Sequence, residues 1–403
     1  MKHAIKSVVL GLSLILANGS VAYAQDSQKA KTAYENGDYA IALKEWRPLA
    51  KQGDADAQNA LGEMYRSGNG VTQDDKEAMK WVRLAAEQGN ADAQNTLGEM
   101  MERNNGGDPE VYKEAVKWLR LAAMQGNTNA QGTLGLKYYQ GDDVITQDYK
   151  EAFKWYRLLA LKGDATWQSQ VGKMYRNGEG VTQDYGQALK WFRLAAEQEE
   201  GDADAQIALG QMYRNGEGVT QNYNEAVKWF RLAANSDFGP SSGSANADAQ
   251  GSLGEMYRNG EGVTQDYGKA LKWLRLAVER GNANAQNALG TMYYDGKGVT
   301  QDYDEAVNLY RSAADQGNAE GQYHLGWMYY YGTGVTQDYD EAVNLFRLAA
   351  DQGLSVAQCS LGEMYEKGEG VAKDKAQAVN LCRKAAEEGD EDAKALLRRL
   401  GAE

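Results

Sequence analysis

"ADAQNALGEMYRSGNGVTQDDKEAMKWVRLAAEQGN", residues 55 to 90, decides the fold. In its first half Ala57, Leu61, Met64 and Tyr65 recur at helical spacing and mark one apolar face. Gly62 is small enough to let a neighbouring helix approach closely, and Gly68 suits a left-handed C-terminal cap. A short loop, "GVTQ", then leads into a second amphipathic segment. The same segment in a later copy, "EAVKWFRLAANS", puts Ala226, Trp229, Phe230 and Ala233 on one face. The second helix has its own start signal: Asp338 with Glu341 three residues on, repeated as Asp74/Glu77, Asp148/Glu151 and Asp302/Glu305. That spacing predicts a capping box.

The stretch is one copy of nine. Its Leu61-Gly62 pair returns as Leu97-Gly98, Leu134-Gly135, Leu209-Gly210, Leu253-Gly254, Leu289-Gly290, Leu325-Gly326 and Leu361-Gly362, with Val171-Gly172 as the ninth. Self-similarity at such a period is the mark of a repeat architecture. One helix pair cannot bury its apolar face alone, but stacked pairs can, and the expected fold is an all-α, α/α solenoid. Residues 1–24 read as a signal peptide: Lys2 and Lys6, an apolar run from Val8 to Ala17, and Ala22-Tyr23-Ala24 before the cut. Residues 25–53 read as an N-terminal capping hairpin and 54–390 as the nine repeats. A Gly/Ser-rich surface insertion falls at 235–245, and 391–403 read as a C-terminal capping helix. The expected location is the periplasm or the medium.

The pattern "ALGEMYRSGNGVTQDDKEAMKWVRLAAEQG" closely resembles the Sel-one-like repeat, a member of the tetratricopeptide superfamily, over nearly all of the mature chain. The resemblance implies an exported adaptor or scaffold that binds a protein or peptide along a concave face lined by the first helices. It does not imply one partner, because function lies in surface residues rather than the fold. The second copy departs most: "MERNNGGDPEVY" lacks the Gly-x-Gly-Val loop and opens its helix with Pro109.

The formal charge of the whole chain is −14, and loss of the leader removes two lysines and no acid. Such a surface repels phosphate backbones, so nucleic acid is not an expected partner. A penicillin-hydrolysing branch of the family carries cysteine pairs in most repeats; here only Cys359 and Cys382 occur, and no Ser-x-x-Lys motif exists. A formal Gly-x-Ser-x-Gly at Gly239 to Gly243 sits in the insertion with no strand before it. One mature histidine, His324, and two cysteines supply no four-ligand metal site. No cofactor or metal is expected, and a non-catalytic role is expected, with a penicillin-binding or β-lactamase-like hydrolase as the third reading. The position of Cys382 is apolar in other copies and that of Cys359 small or polar, which points one inward and one outward and favours two independent thiols.

Gln58 recurs in every copy and is expected to make one structural hydrogen bond per unit. Trp167 stands where other copies carry Ala or Gly and is expected to adjust local packing. Binding information should lie where copies differ, at the positions of Asn59, Glu63, Arg66 and Ser67, which share one helix face. In "GQYHLGWMYYYGTG", residues 321 to 334, they become Tyr323, Trp327, Tyr330 and Tyr331. These four are expected to be exposed and to bind the partner, with Tyr294 and Tyr139 extending the theme. Tyr329 is read as ordinary packing and His324 as a spacer or hydrogen-bond donor. A weaker ladder, Arg176, Arg214 and Arg258, suits an anionic partner segment, with Glu63 and Glu255 as intrahelical partners. A glycan stacking on the aromatic stripe is the alternative ligand.

Overall fold

A computed structural model describes residues 26–104, 106–199, 201–235 and 243–402. The expected signal peptide and most of the expected insertion lie outside the described residues. The described chain is all α. Helix α1 covers residues 26–35 and α2 Tyr39–Lys51. The first helices of the nine repeats are α3 (Ala55–Ser67), α5 (Ala91–Arg103), α7 (Thr128–Gln140), α9 (Ala165–Asn177), α11 (Ala203–Asn215), α13 (Gly243–Asn259), α15 (Ala283–Asp295), α17 (Ala319–Tyr331) and α19 (Ser355–Lys367). The second helices are α4 (Asp75–Glu87), α6 (Pro109–Met124), α8 (Tyr149–Ala160), α10 (Tyr185–Ala196), α12 (Tyr223–Asn235), α14 (Tyr267–Glu279), α16 (Tyr303–Asp315), α18 (Tyr339–Asp351) and α20 (Lys375–Glu387). Helix α21, Glu391–Leu400, follows. The chain divides into two compact units between α9 and α10, one ending at Asp184 and the other starting at Tyr185.

Within a repeat, the two helices meet at the glycine of the Leu-Gly pair. A Cβ on Gly62 would lie 2.5 Å from Val82 Cγ2, and one on Gly326 would lie 2.7 Å from the Phe346 ring. Leu61, Met64 and Val82 are fully buried around the first contact, and each buried aliphatic side chain contributes about 2 kcal/mol of transfer energy. Gly68 ends α3 in the left-handed conformation, φ 75°, as its position predicts.

Asp74, Asp148, Asp302 and Asp338 do cap the second helices by accepting from backbone N–H groups of the first turn. The returning half of the box is taken by something else. The Asp backbone N–H donates to a carbonyl in the last turn of the preceding helix: Asp74 to Tyr65, Asp338 to Tyr329. Glu77 and Glu151 are thereby left to pair with Lys80 and Lys154 one turn on.

Gln58 makes the expected repeated bond. Its amide donates to the Ala50 carbonyl at 3.0 Å, and Gln94, Gln131, Gln168, Gln322 and Gln358 do the same eight residues back. Its oxygen then accepts from the glutamine ending the next helix, Gln88 at 2.7 Å, as Gln322 does from Gln352 at 2.8 Å. One buried amide thus ties three successive helices.

Candidate functional site

The position of Arg66 is where one first helix reaches the loop of the next repeat. The Tyr139 hydroxyl donates to Glu179 at 2.9 Å, Arg214 Nε to Glu261 at 2.9 Å, and the Tyr330 hydroxyl to Glu369 at 2.8 Å. All three acceptors sit at one repeat position, the x of Gly-x-Gly-Val. Tyr294 faces the same position in the eighth repeat, which is Thr333, shorter and uncharged. A hollow of about 300 Å³ opens there, bounded by α15, α16 and α17 and lined by Thr291, Tyr294, Asp295, Tyr310, Tyr323, His324, Trp327, Met328, Tyr331 and Thr333.

The hydrogen-bond roles in its wall are forced one by one. Glu320, as a carboxylate, only accepts, so the 2.9 Å contact from Asn287 Nδ2 fixes that amide. Asn287 Oδ1 is then turned toward His324 Nδ1, 2.7 Å away, and this nitrogen must carry the proton. The imidazole is stacked on Tyr310, with ring centres 5.0 Å apart. Burial, with the charge of Arg258 adding to it, pushes its pKa down to about 4. His324 is therefore neutral at pH 7, with Nε2 as an acceptor. Tyr310 donates to Thr291 at 3.2 Å and is itself held neutral, its pKa pushed up to about 12 by burial.

The aromatic stripe divides. Tyr331 is 64 % exposed and Tyr294 38 %. Tyr323, Trp327 and Tyr330 are half-buried and pack against the core around Phe346, with Tyr323 at 5.9 Å and Trp327 at 5.2 Å from that ring. The expectation that four rings stand exposed is corrected to one, with Tyr294 beside it. Tyr331 lies flat on Trp327, 5.2 Å away at 15°. Tyr329 packs as expected, and its hydroxyl accepts from Arg311 at 3.1 Å.

The position of Asn59 is the reason for the misreading. It looks polar and variable, yet Asn95, Ser169, Ile207, Asn287 and Cys359 are all buried. It faces the next first helix: a Cβ on Gly251 would lie 3.6 Å from the Ala285 methyl. Cys359 accordingly points inward rather than outward, and its Sγ lies 2.7 Å from that of Cys382. Its thiol pKa is raised by hydrogen bonding to Cys382 and by burial.

In the arginine ladder the intrahelical role expected of Glu255 is corrected. Arg214 is held between Glu255 at 3.0 Å and Glu261 at 2.9 Å of the following repeat, so Glu255 serves the neighbouring repeat rather than its own helix. Arg258 donates to Asn259 Oδ1 and the Ala288 carbonyl. Arg66 shows the intrahelical pair, with Glu63 at 2.6 Å. Arg176 lies on α9 at the equivalent position.

The other unit has its own hollow, about 890 Å³, between α7 and α9, with Leu136, Tyr139, Tyr156 and Trp167 in its wall. Trp167 stacks on Tyr156 at 4.9 Å, and Gly132 makes the room: a Cβ there would lie 3.2 Å from the indole. A feature missed in the sequence is that leucines at one position of the second helices are exposed, Leu84, Leu121 and Leu158 in one unit and, in the other taken by itself, Leu194, Leu232 and Leu348. Its signal was the recurring Arg-Leu-Ala-Ala, which reads Arg-Leu-Leu-Ala around Leu158. Among the described residues no cluster of His, Cys, Asp and Glu is placed to hold a metal ion, and no helix is long and apolar enough to cross a membrane.

Helix pairs joined by repeated buried amides define a helical-repeat solenoid, the architecture of a protein-interaction scaffold. The chain belongs to the Sel1 repeat family: the family model matches nine times, at residues 55–90, 91–127, 129–164, 168–200, 203–238, 247–282, 283–318, 319–354 and 355–390. It is similar to the crystal structure of a protective antigen of uropathogenic Escherichia coli with an SLR fold, at 34 % identity and TM-score 0.60, covering 90 % of this chain and 84 % of that one. A Sel1 repeat protein from Oxalobacter formigenes is similar at 34 % identity and TM-score 0.59, covering 80 % of this chain and 90 % of that one. No curated protein matches the chain significantly.

Proposed function

We propose that this chain is an exported, non-catalytic scaffold that holds a protein or peptide partner on its first-helix face. The observation that carries the reading is the exposed Tyr331 and Tyr294 beside a formed hollow. A large aromatic ring left partly in water beside a cavity is the usual anchor of a partner contact. Export is supported by the leader pattern of residues 1–24, and the similarity to an E. coli protective antigen agrees with it. A glycan partner competes for the same rings.

A photo-crosslinking residue placed at Tyr331 or Tyr294 in the native cell tests this, with Leu232 on a second helix as the control position. Mass spectrometry should find one protein joined at both first-helix positions and not at Leu232, before and after glycan digestion. The reading is overturned by the absence of any crosslink at Tyr331 and Tyr294, or by adducts that vanish on glycan digestion.

A further inference from the structure

We infer that the hollow bounded by α15, α16 and α17 receives one basic side chain of the partner, best fitted by the guanidinium of an arginine. The inference rests on the scaffold reading above and specifies the anchor that the partner must bring. Five of the lining side chains are aromatic: Tyr294, Tyr310, Tyr323, Trp327 and Tyr331. Asp295 is the one charged side chain among the lining residues, and it is an anion. Two further polar groups of the wall accept, because His324 is neutral with its proton committed to Asn287, and Tyr310 spends its proton on Thr291. Aromatic faces, a carboxylate and an imidazole acceptor together select a flat, donor-rich cation. A guanidinium stacks on a ring while its N–H groups reach both acceptors, whereas an ammonium offers a point charge without a plane. The volume, at the lower end of ligand pockets, suits one side chain rather than a folded segment. Long-range charge agrees, since a chain of net charge −14 draws cationic segments toward it.

Two cations of the protein itself act on residues of the hollow, Arg258 on His324 through its charge and Lys297 on Asp295 through an ion pair. Arg258 is turned onto Asn259 and Ala288. Lys297 holds Asp295 Oδ2 at 2.8 Å through a side chain 53 % exposed. A guest guanidinium must compete with this lysine, which yields a signature that neither a sugar nor an apolar ring would give. Removing Lys297 should tighten binding.

The test titrates the whole chain with three blocked tripeptides, acetyl-Gly-X-Gly-amide with X as arginine, citrulline or lysine, and with methyl glucoside, followed by saturation-transfer NMR. The arginine peptide should bind several-fold better than the citrulline peptide, its uncharged isostere, and better than the lysine peptide. Asp295→Asn should weaken it about fivefold, the upper range for an exposed ion pair, and Tyr331→Ala by a factor of about 2 to 5. Lys297→Gln should strengthen it. Equal binding of citrulline and arginine, preferential binding of methyl glucoside, no binding of the arginine peptide, or no effect of Asp295→Asn and Lys297→Gln would overturn the inference. The crosslinking result at Tyr331 is read separately: if partner adducts persist there while the peptides show no charge preference, the scaffold reading stands and only the basic anchor falls.

Discussion

Trp327 and Tyr331 lie one turn apart on α17 and stack face to face, yet they answer to different constraints. Trp327 is pinned between Phe346 and its neighbours, whereas Tyr331 shows most of its surface to solvent. Tyr331→Ala should therefore leave the denaturation midpoint almost unchanged, within about 0.5 kcal/mol. Trp327→Ala should cost about 2 kcal/mol or more, because it opens a void beside Phe346. Equal melting of the two variants would remove the distinction. His324 gives a second test at this scale. Its folded pKa is near 4 against 6.5 for the free side chain, so between those values the unfolded chain binds a proton that the folded chain refuses. Its contribution to stability should fall as pH drops from about 6.5 toward 4 and level off below that. Arg258 reinforces the depression and Asp295 opposes it. The stability difference between wild type and His324→Gln, followed by urea denaturation across this window, should change with pH; a flat difference counts against it.

A repeat's two helices are specified by a periodic code that is restated nine times, which is why their existence, their glycine contact and their Asp caps could be read without coordinates. Gly326→Val should cost about 2 kcal/mol, since the added side chain meets Phe346, and loss of cooperative melting in urea would register it. What could not be read is which helix face meets the next repeat. Asn95 and Ser169 are polar, but they are buried because two first helices approach closely there. Polarity at this position does not mean exposure, and the same close approach buries Cys359 and half-buries Tyr323. The hollow itself was half legible: its rings stood out, while its cause, Thr333 in place of the Glu that binds Tyr139 and Tyr330 elsewhere, needed the inter-repeat bonds to be seen. The thiols follow from the same packing. With Cys359 and Cys382 buried and the Cys359 thiol pKa raised, both should resist iodoacetamide in the folded reduced protein and react once it is denatured. Rapid alkylation of the native chain would contradict their placement between α19 and α20.

At the scale of the molecule, stability is a sum over neighbouring repeats rather than the property of one core. Deleting Ala283 to Asn318, one repeat in register, should leave a helical, cooperatively melting protein by circular dichroism, while removing Tyr294, Asp295 and Tyr310 and with them the hollow. Global unfolding of that deletion would show long-range contacts instead. The Gln58-type amide carries a further consequence. Gln58, Gln94, Gln131 and Gln322 each hold both halves of the joint, a donor for the helix before and an acceptor for a side chain ending the helix after. At the level of the gene, misaligned exchange between two copies can therefore drop or duplicate a block of codons, and the new neighbours arrive already compatible. Chain length is the trait such exchange alters most easily. A cavity assembled from two adjacent and dissimilar copies is the trait it erases, so inheritance of the hollow around His324 requires those two copies to pass on together.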